Sequence, residues 1–206
     1  MNKIERKIEL RQLSDESNII EGCAIVFNSW SRDLGGFREL ILPEAVSEDL
    51  VNNSDVICNI NHDNSQMLAR WNRGKGTLNL NLREDGLWFS FEVPPTERGK
   101  ELLWNVRSGN LFECSFCFSL ADEEKSERWY REDGELKREI SRIGALYDVS
   151  IVDVAAYPET SVDSREGIDL EKINRSLDAE EAKERRREIL DSLDLKLRNF
   201  LNNLNI

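Results

Sequence analysis

The chain has 206 residues, enough for one substantial domain plus an appendage and short for two full domains. Hydrophobic residues make up 39%, which supports a core and excludes a disordered chain, while 33% charged residues predict a heavily solvated surface or tail. A formal charge of −12 argues against any function that rests on neutralising phosphates, so no nucleic-acid partner is expected.

The opening Met1-Asn2-Lys3-Ile4-Glu5-Arg6-Lys7 is mixed in charge and leads into no apolar region, so no secretory signal and a cytoplasmic setting are expected. No apolar run reaches membrane-spanning length, and no membrane partner is expected. Residues 4–12 and 18–28 read as extended segments joined by the turn chemistry of Ser14 to Asn18. Gly35-Gly36 marks a loop, and Phe37 to Leu42 is a short strand ending at Pro43. That proline can open a helix running from Glu44 to Leu50. Asp55 to Ile60 is the next strand and delivers Asn61-His62-Asp63 at its end. Strict alternation over Thr77 to Leu82, then Asp85-Gly86, then Leu87 to Val93 predicts a hairpin. Thr96 can cap a helix that runs to Arg107 and stops at Gly109. Leu111 to Leu120 is an aromatic-rich strand, Asp133-Gly134 centres a polar hairpin, and Ala145 to Val154 is a long strand ended by Pro158.

Strands with two intervening helices predict an α+β fold, a mostly antiparallel sheet or barrel flanked by helices, over residues 1–165. Residues 166–206 change character, with no proline, one aromatic and many charges. Ile189, Leu193, Leu197, Phe200 and Leu204 recur at spacings of three and four, so this tail is expected to be a charged amphipathic helix whose stripe needs a partner surface. The Lys183 to Arg187 run is flanked by acids and reads as a solvated helix face.

His62 is the sole histidine, so any histidine-dependent chemistry must use it. Imidazole is the side chain that ordinarily titrates nearest neutrality and suits proton transfer, although a lone loop histidine is often only hydrogen-bonded. Ser115 is the candidate nucleophile. Alternation places Phe112, Cys114, Phe116 and Phe118 on one strand face and Glu113, Ser115 and Cys117 on the other. A serine hydroxyl is inert without a base to take its proton, which is the reason to pair it with His62. A third group would orient the imidazole. Asp148, opening an apolar strand where burial is costly unless paired, ranks ahead of Asp153 and Asp63. The motif Cys114-x-x-Cys117 lies on an extended segment, which points its sulfurs to opposite faces and excludes a thioredoxin-like site at a helix start. No second pair of ligands completes a zinc site, so no metal or organic cofactor is expected. The four cysteines are expected to be reduced thiols.

Taken together, Gly22 to Asn28, Glu39 to Ala45, Asn61-His62-Asp63, Asp85-Gly86-Leu87, Arg107 to Leu111, Cys114 to Phe118, and Asp148 to Val152 leading to Ala155-Ala156-Tyr157-Pro158 resemble the tailed-phage prohead proteases. These are capsid-maturation serine proteases whose fold looks like that of the herpesvirus assemblins. The resemblance implies His62 as base, Ser115 as nucleophile and Asp148 as third member. It implies capsid protein and scaffold as substrates inside the prohead, in the host bacterial cytoplasm during assembly, with self-association and self-cleavage. Cys114 and Cys117 stand where that family often has glycine, and Ala155-Ala156 where Pro-Ala is usual. The rival expectations are a non-catalytic capsid or scaffold interaction protein and a cysteine hydrolase using Cys117.

Overall fold

A computed structural model describes residues 11–12, 18–122, 125–153 and 168–203 of the chain. The chain divides into two units, residues 1–166 and 167–206. The first unit is α+β and carries twelve described strands: β1 (Arg11–Gln12), β2 (Ile19–Val26), β3 (Arg38–Ile41), β4 (Asp55–Ile60), β5 (Ala69–Asn72), β6 (Lys75–Gly76), β7 (Leu78–Arg83), β8 (Gly86–Glu92), β9 (Glu113–Leu120), β10 (Glu127–Glu132), β11 (Glu135–Ile140) and β12 (Ile143–Val152). Its described α-helices are α1 (Glu48–Asn53) and α2 (Glu97–Arg107).

Three sheets form, with orders β1-β2-β8-β7, β10-β11-β3 and β6-β5-β4-β12-β9. The expected barrel does not close among the described residues. Most pairings are antiparallel, as expected, but β11 pairs with β3 and β12 with β4 in parallel, within three separate sheets. The first and third sheets share a core. Ile20, Ile25, Leu87, Phe89 and Phe91 come from one, and Val56, Cys58, Cys114, Val149 and Ile151 from the other, all at 1% exposure or less. Gly22 is needed at their contact. A Cβ there would lie 2.8 Å from the Phe89 ring and 3.0 Å from Cys114 Sγ.

The hairpin of β7 and β8 forms as expected, with Glu84-Asp85 as its two-residue turn and Gly86 opening β8. The hairpin of β10 and β11 turns on Asp133 (φ 53°) and Gly134 (φ 81°), the two left-handed positions that a tight hairpin requires. Thr96 caps α2 by accepting the Gly99 N–H. The single helix expected from Glu44 to Leu50 is instead a 3-10 turn, Pro43–Ala45, followed by α1. Ser47 divides them: its hydroxyl accepts the Leu50 N–H, which makes it an N-cap and holds its own backbone extended. The strand β5 was not apparent from the pattern of its residues. The Ser14 to Ser17 turn, most of the 4–12 segment, Val154 and the Ala155 to Pro158 motif lie outside the described residues.

The second unit is the helix α3 (Leu170–Asn203), about 50 Å long at 1.5 Å per residue. Asp169 starts it, its side chain accepting the Lys172 N–H at 2.9 Å. Ile189, Leu190, Leu193 and Leu195 are exposed on it. The side chains of Leu197 and Phe200, and all of Leu204, lie outside the described residues. No helix among the described residues is long and apolar enough to cross a membrane.

Candidate active site

The third sheet brings the candidate residues together through its central strand. β12 lies between β4, paired in parallel, and β9, paired antiparallel. Directly opposed residues on paired strands point to the same face, as do residues two apart on one strand. The register opposes Ser150 to Ser115 on one side and to Asn59 on the other, and opposes Asp148 to Cys117 and Ile57. Asp148, Ser150, Ser115, Cys117 and Asn59 therefore share one face. Cys58, Val149, Ile151 and Cys114 point into the core.

A bulge sets this arrangement. Leu146 pairs with Phe118, and the next pair is Asp148 with Cys117, leaving Tyr147 as an extra residue. Without it, Asp148 would sit two residues along from Leu146 and join it on the core face. One inserted residue flips every later side chain, so the bulge is what turns Asp148 outward from the core. Parity of the strand alone does not show it.

His62 follows β4 in a tight turn. Asn61 (φ 51°) and His62 (φ 58°) are both left-handed, a conformation that costs non-glycine residues on the order of 1–2 kcal/mol each. The turn is held by three main-chain N–H donors: Asn61 to the Ile151 carbonyl at 3.0 Å, His62 to Ser150 Oγ at 3.0 Å, and Asp63 to the Ile60 carbonyl at 3.0 Å. The Arg98 guanidinium of α2 reaches the same loop, donating to the Ser65 carbonyl at 3.1 Å.

The turn places His62 Nδ1 2.8 Å from Asp148 Oδ1, with both side chains about nine-tenths buried. With the carboxylate ionised and the ring neutral, Nδ1 carries the proton toward Asp148 and Nε2 presents its lone pair. That Nε2 is buried and has no hydrogen-bond partner among the described residues. Such atoms are rare, since an unmet buried polar atom costs about 1–3 kcal/mol. Ser115 stands half-buried on the same face, one strand beyond Asp148, and no hydrogen bond joins it to Nε2.

Of the rival acids, Asp63 is engaged within its own turn. Asp63 accepts from the side chain of Gln66 and from the backbone N–H of Ser65, and these bonds hold its carboxyl below the usual range. Asp153 donates its main-chain N–H to Asn61 Oδ1 at 3.4 Å. Glu113, two residues before Ser115 and on its face, pairs with Arg32 at 2.8 Å. The cysteines are reduced. Burial pushes the Cys23 thiol up to about 12 and raises those of Cys58 and Cys114 far above the ordinary thiol range. Those three are thereby poor nucleophiles. Cys117 differs in standing on the Ser115 face, opposite Asp148. No cluster of three or more His, Cys, Asp or Glu among the described residues could hold a metal ion.

Among known families, a model described as caudovirus prohead serine protease matches residues 5–175. No curated protein and no solved structure matches.

Proposed function

The chain belongs to the caudovirus prohead serine proteases, and from that premise we propose that it is a serine endopeptidase with Ser115 as nucleophile, His62 as base and Asp148 as the acid that orients the imidazole. The observation that carries this reading is the His62 ring itself. It is held at Nδ1 by Asp148, whose strand face also carries Ser115, while its opposite nitrogen is buried and lacks a partner among the described residues.

The chemistry follows from that arrangement. Ser115 gives its proton to Nε2 as its oxygen attacks the scissile carbonyl, and Asp148 stabilises the imidazolium that forms. The tetrahedral intermediate collapses, the C–N bond breaks, and the imidazolium returns the proton to the leaving amine. Water then repeats the sequence on the acyl-enzyme, releasing the acid and regenerating the serine. No hydrogen bond joins Ser115 to Nε2, and catalytic hydrogen bonds are often made only as the substrate complex forms.

The substrates in this reading are capsid and scaffold proteins inside the phage prohead, in the host cytoplasm during assembly, with the chain itself cut as well. Residues 1–165 act as the protease domain, and the 166–206 tail serves for docking or self-association and is lost by self-cleavage. Kinship in fold with the herpesvirus assemblins belongs to the same reading and rests on the order of the resembling segments.

The test is covalent labelling followed by cleavage. A fluorophosphonate should modify Ser115 in the wild type and fail on His62→Ala, with the labelled peptide identified by mass spectrometry. Wild-type protein incubated with capsid and scaffold proteins should yield fragments that Ser115→Ala does not. Labelling of Cys117 by iodoacetamide with loss of cleavage, and none of Ser115 by the phosphonate, would replace the serine reading by a cysteine one. A Ser115→Ala chain that still loses its tail when purified alone would remove self-cleavage.

A further inference from the structure

The left-handed turn at His62 has a dedicated support that the triad chemistry does not use. Ser150 lies on β12 between Asp148 and Val152 and is fully buried, as is Asn59. Its hydroxyl contacts three groups: the His62 main-chain N–H at 3.0 Å, Asn59 Oδ1 at close range, and Asp148 Oδ1 at 3.4 Å. A hydroxyl has one proton to give and two lone pairs to receive with. The Asn59 amide decides where the proton goes. Its Nδ2 donates to Asn64 Oδ1 at 3.1 Å, which turns Oδ1 toward Ser150 as the near acceptor. The Ser150 proton therefore goes to Asn59, its lone pair receives the His62 N–H, and Asp148 Oδ1 is left to the imidazole.

We infer that Ser150 is a positioning residue for the peptidase, fixing the backbone of His62 so that Nδ1 meets Asp148, on the strand face that also carries Ser115. It touches neither substrate nor reacting atom and acts through the histidine. Asn59 and Asn64 extend the support: the first directs the Ser150 proton, and the second directs the Asn59 amide. The inference rests on the triad reading above for its catalytic consequence, and on the geometry alone for its effect on the ring.

Because the chain has a single histidine, its imidazole can be followed without assignment. Full-length protein labelled with 15N-histidine should show a bare Nε2 and a slowly exchanging, downfield Nδ1 proton. In Ser150→Ala that proton signal should be lost to exchange and both tautomers populated, while the circular dichroism spectrum is unchanged. Against a capsid-derived peptide, kcat should fall about 10- to 100-fold with KM within about twofold, the pattern of a lost transition-state interaction. Should Ser150→Ala fail to fold, Ser150→Cys keeps the shape while accepting hydrogen bonds weakly and should give the same changes. An unchanged ring spectrum with kcat within twofold of wild type overturns the inference. So does unfolding of both variants, which would make the hydroxyl a support of the fold alone. A wild type with the locked ring, its lock lost in Ser150→Ala, but with no peptide cleavage and no serine labelling, would sink the triad reading and leave the positioning intact.

Discussion

Two regions of the molecule bury charge in opposite ways. In the sheet of β10, β11 and β3, Arg138 is 1% exposed and fully engaged: Nη1 donates to Glu39 at 2.7 Å and Nε to Glu127 at 2.6 Å, with the Trp129 ring 5.4 Å away. In the sheet of β4, β12 and β9, the His62–Asp148 side chains are about nine-tenths buried, yet one ring nitrogen is left without a partner among the described residues. Both regions pay desolvation, but only the first recovers it within the fold. A buried ionic cluster with its donors met holds a small sheet in place. One with a single gap is poised for a bond that the resting structure does not make.

The comparison breaks most decisively at Ser115. Ser115→Ala should lower the cleavage rate by about 10⁴-fold or more, with stability within ~0.5 kcal/mol of wild type by urea titration. Asp148→Asn should cost about 10³- to 10⁴-fold, because an amide can favour the wrong tautomer while the packing is kept. The other region should respond in stability. Arg138→Met leaves Glu39 buried without a cation and should cost about 3–5 kcal/mol, with kcat of the folded fraction unchanged. If Arg138→Met instead leaves stability untouched, the contrast between the two clusters is lost.

Smaller effects concern the thiols. The raised pKa of Cys23 belongs to the folded state, so the unfolded chain ionises first, at the ordinary thiol value near 9. Between there and about 12 the folded state binds more protons than the unfolded one. Stability contributed by the buried thiol is thus full below pH 9 and declines by about 1 kcal/mol per pH unit above it, as denaturant titrations across that range should show. Least of all, Cys117→Ser should leave kcat/KM within about twofold, separating the nearby thiol from the chemistry.

Much of this was legible in the sequence where the pattern is local. The Asp55 to Ile60 strand, the β7–β8 hairpin and the Thr96 cap follow from alternation and turn chemistry within a few residues. His62 stood out through scarcity, and its contact partner Asp148 through the cost of an acid opening an apolar strand. What was not legible is non-local. The parallel pairing of β12 with β4 joins residues some ninety positions apart, and no local periodicity encodes it. β5 reads Ala-Arg-Trp-Asn, too short and too polar to announce a strand. The Tyr147 bulge is visible only against the β9 register, and Ser150 shows its three contacts only once β4 lies alongside.

The order in which the strands leave the ribosome gives the central strand a last consequence. β4 and β9 are both synthesised before β12, yet neither pairs with the other, and only β12 joins them. Domains take shape from the N-terminus as the chain emerges, so the slot between these two strands stays vacant until translation passes residue 152. A polypeptide released before Asp148 would carry the histidine and the serine with no bridge to unite them. Insertion of the final strand is thus the step that brings the two halves of the candidate site onto one sheet.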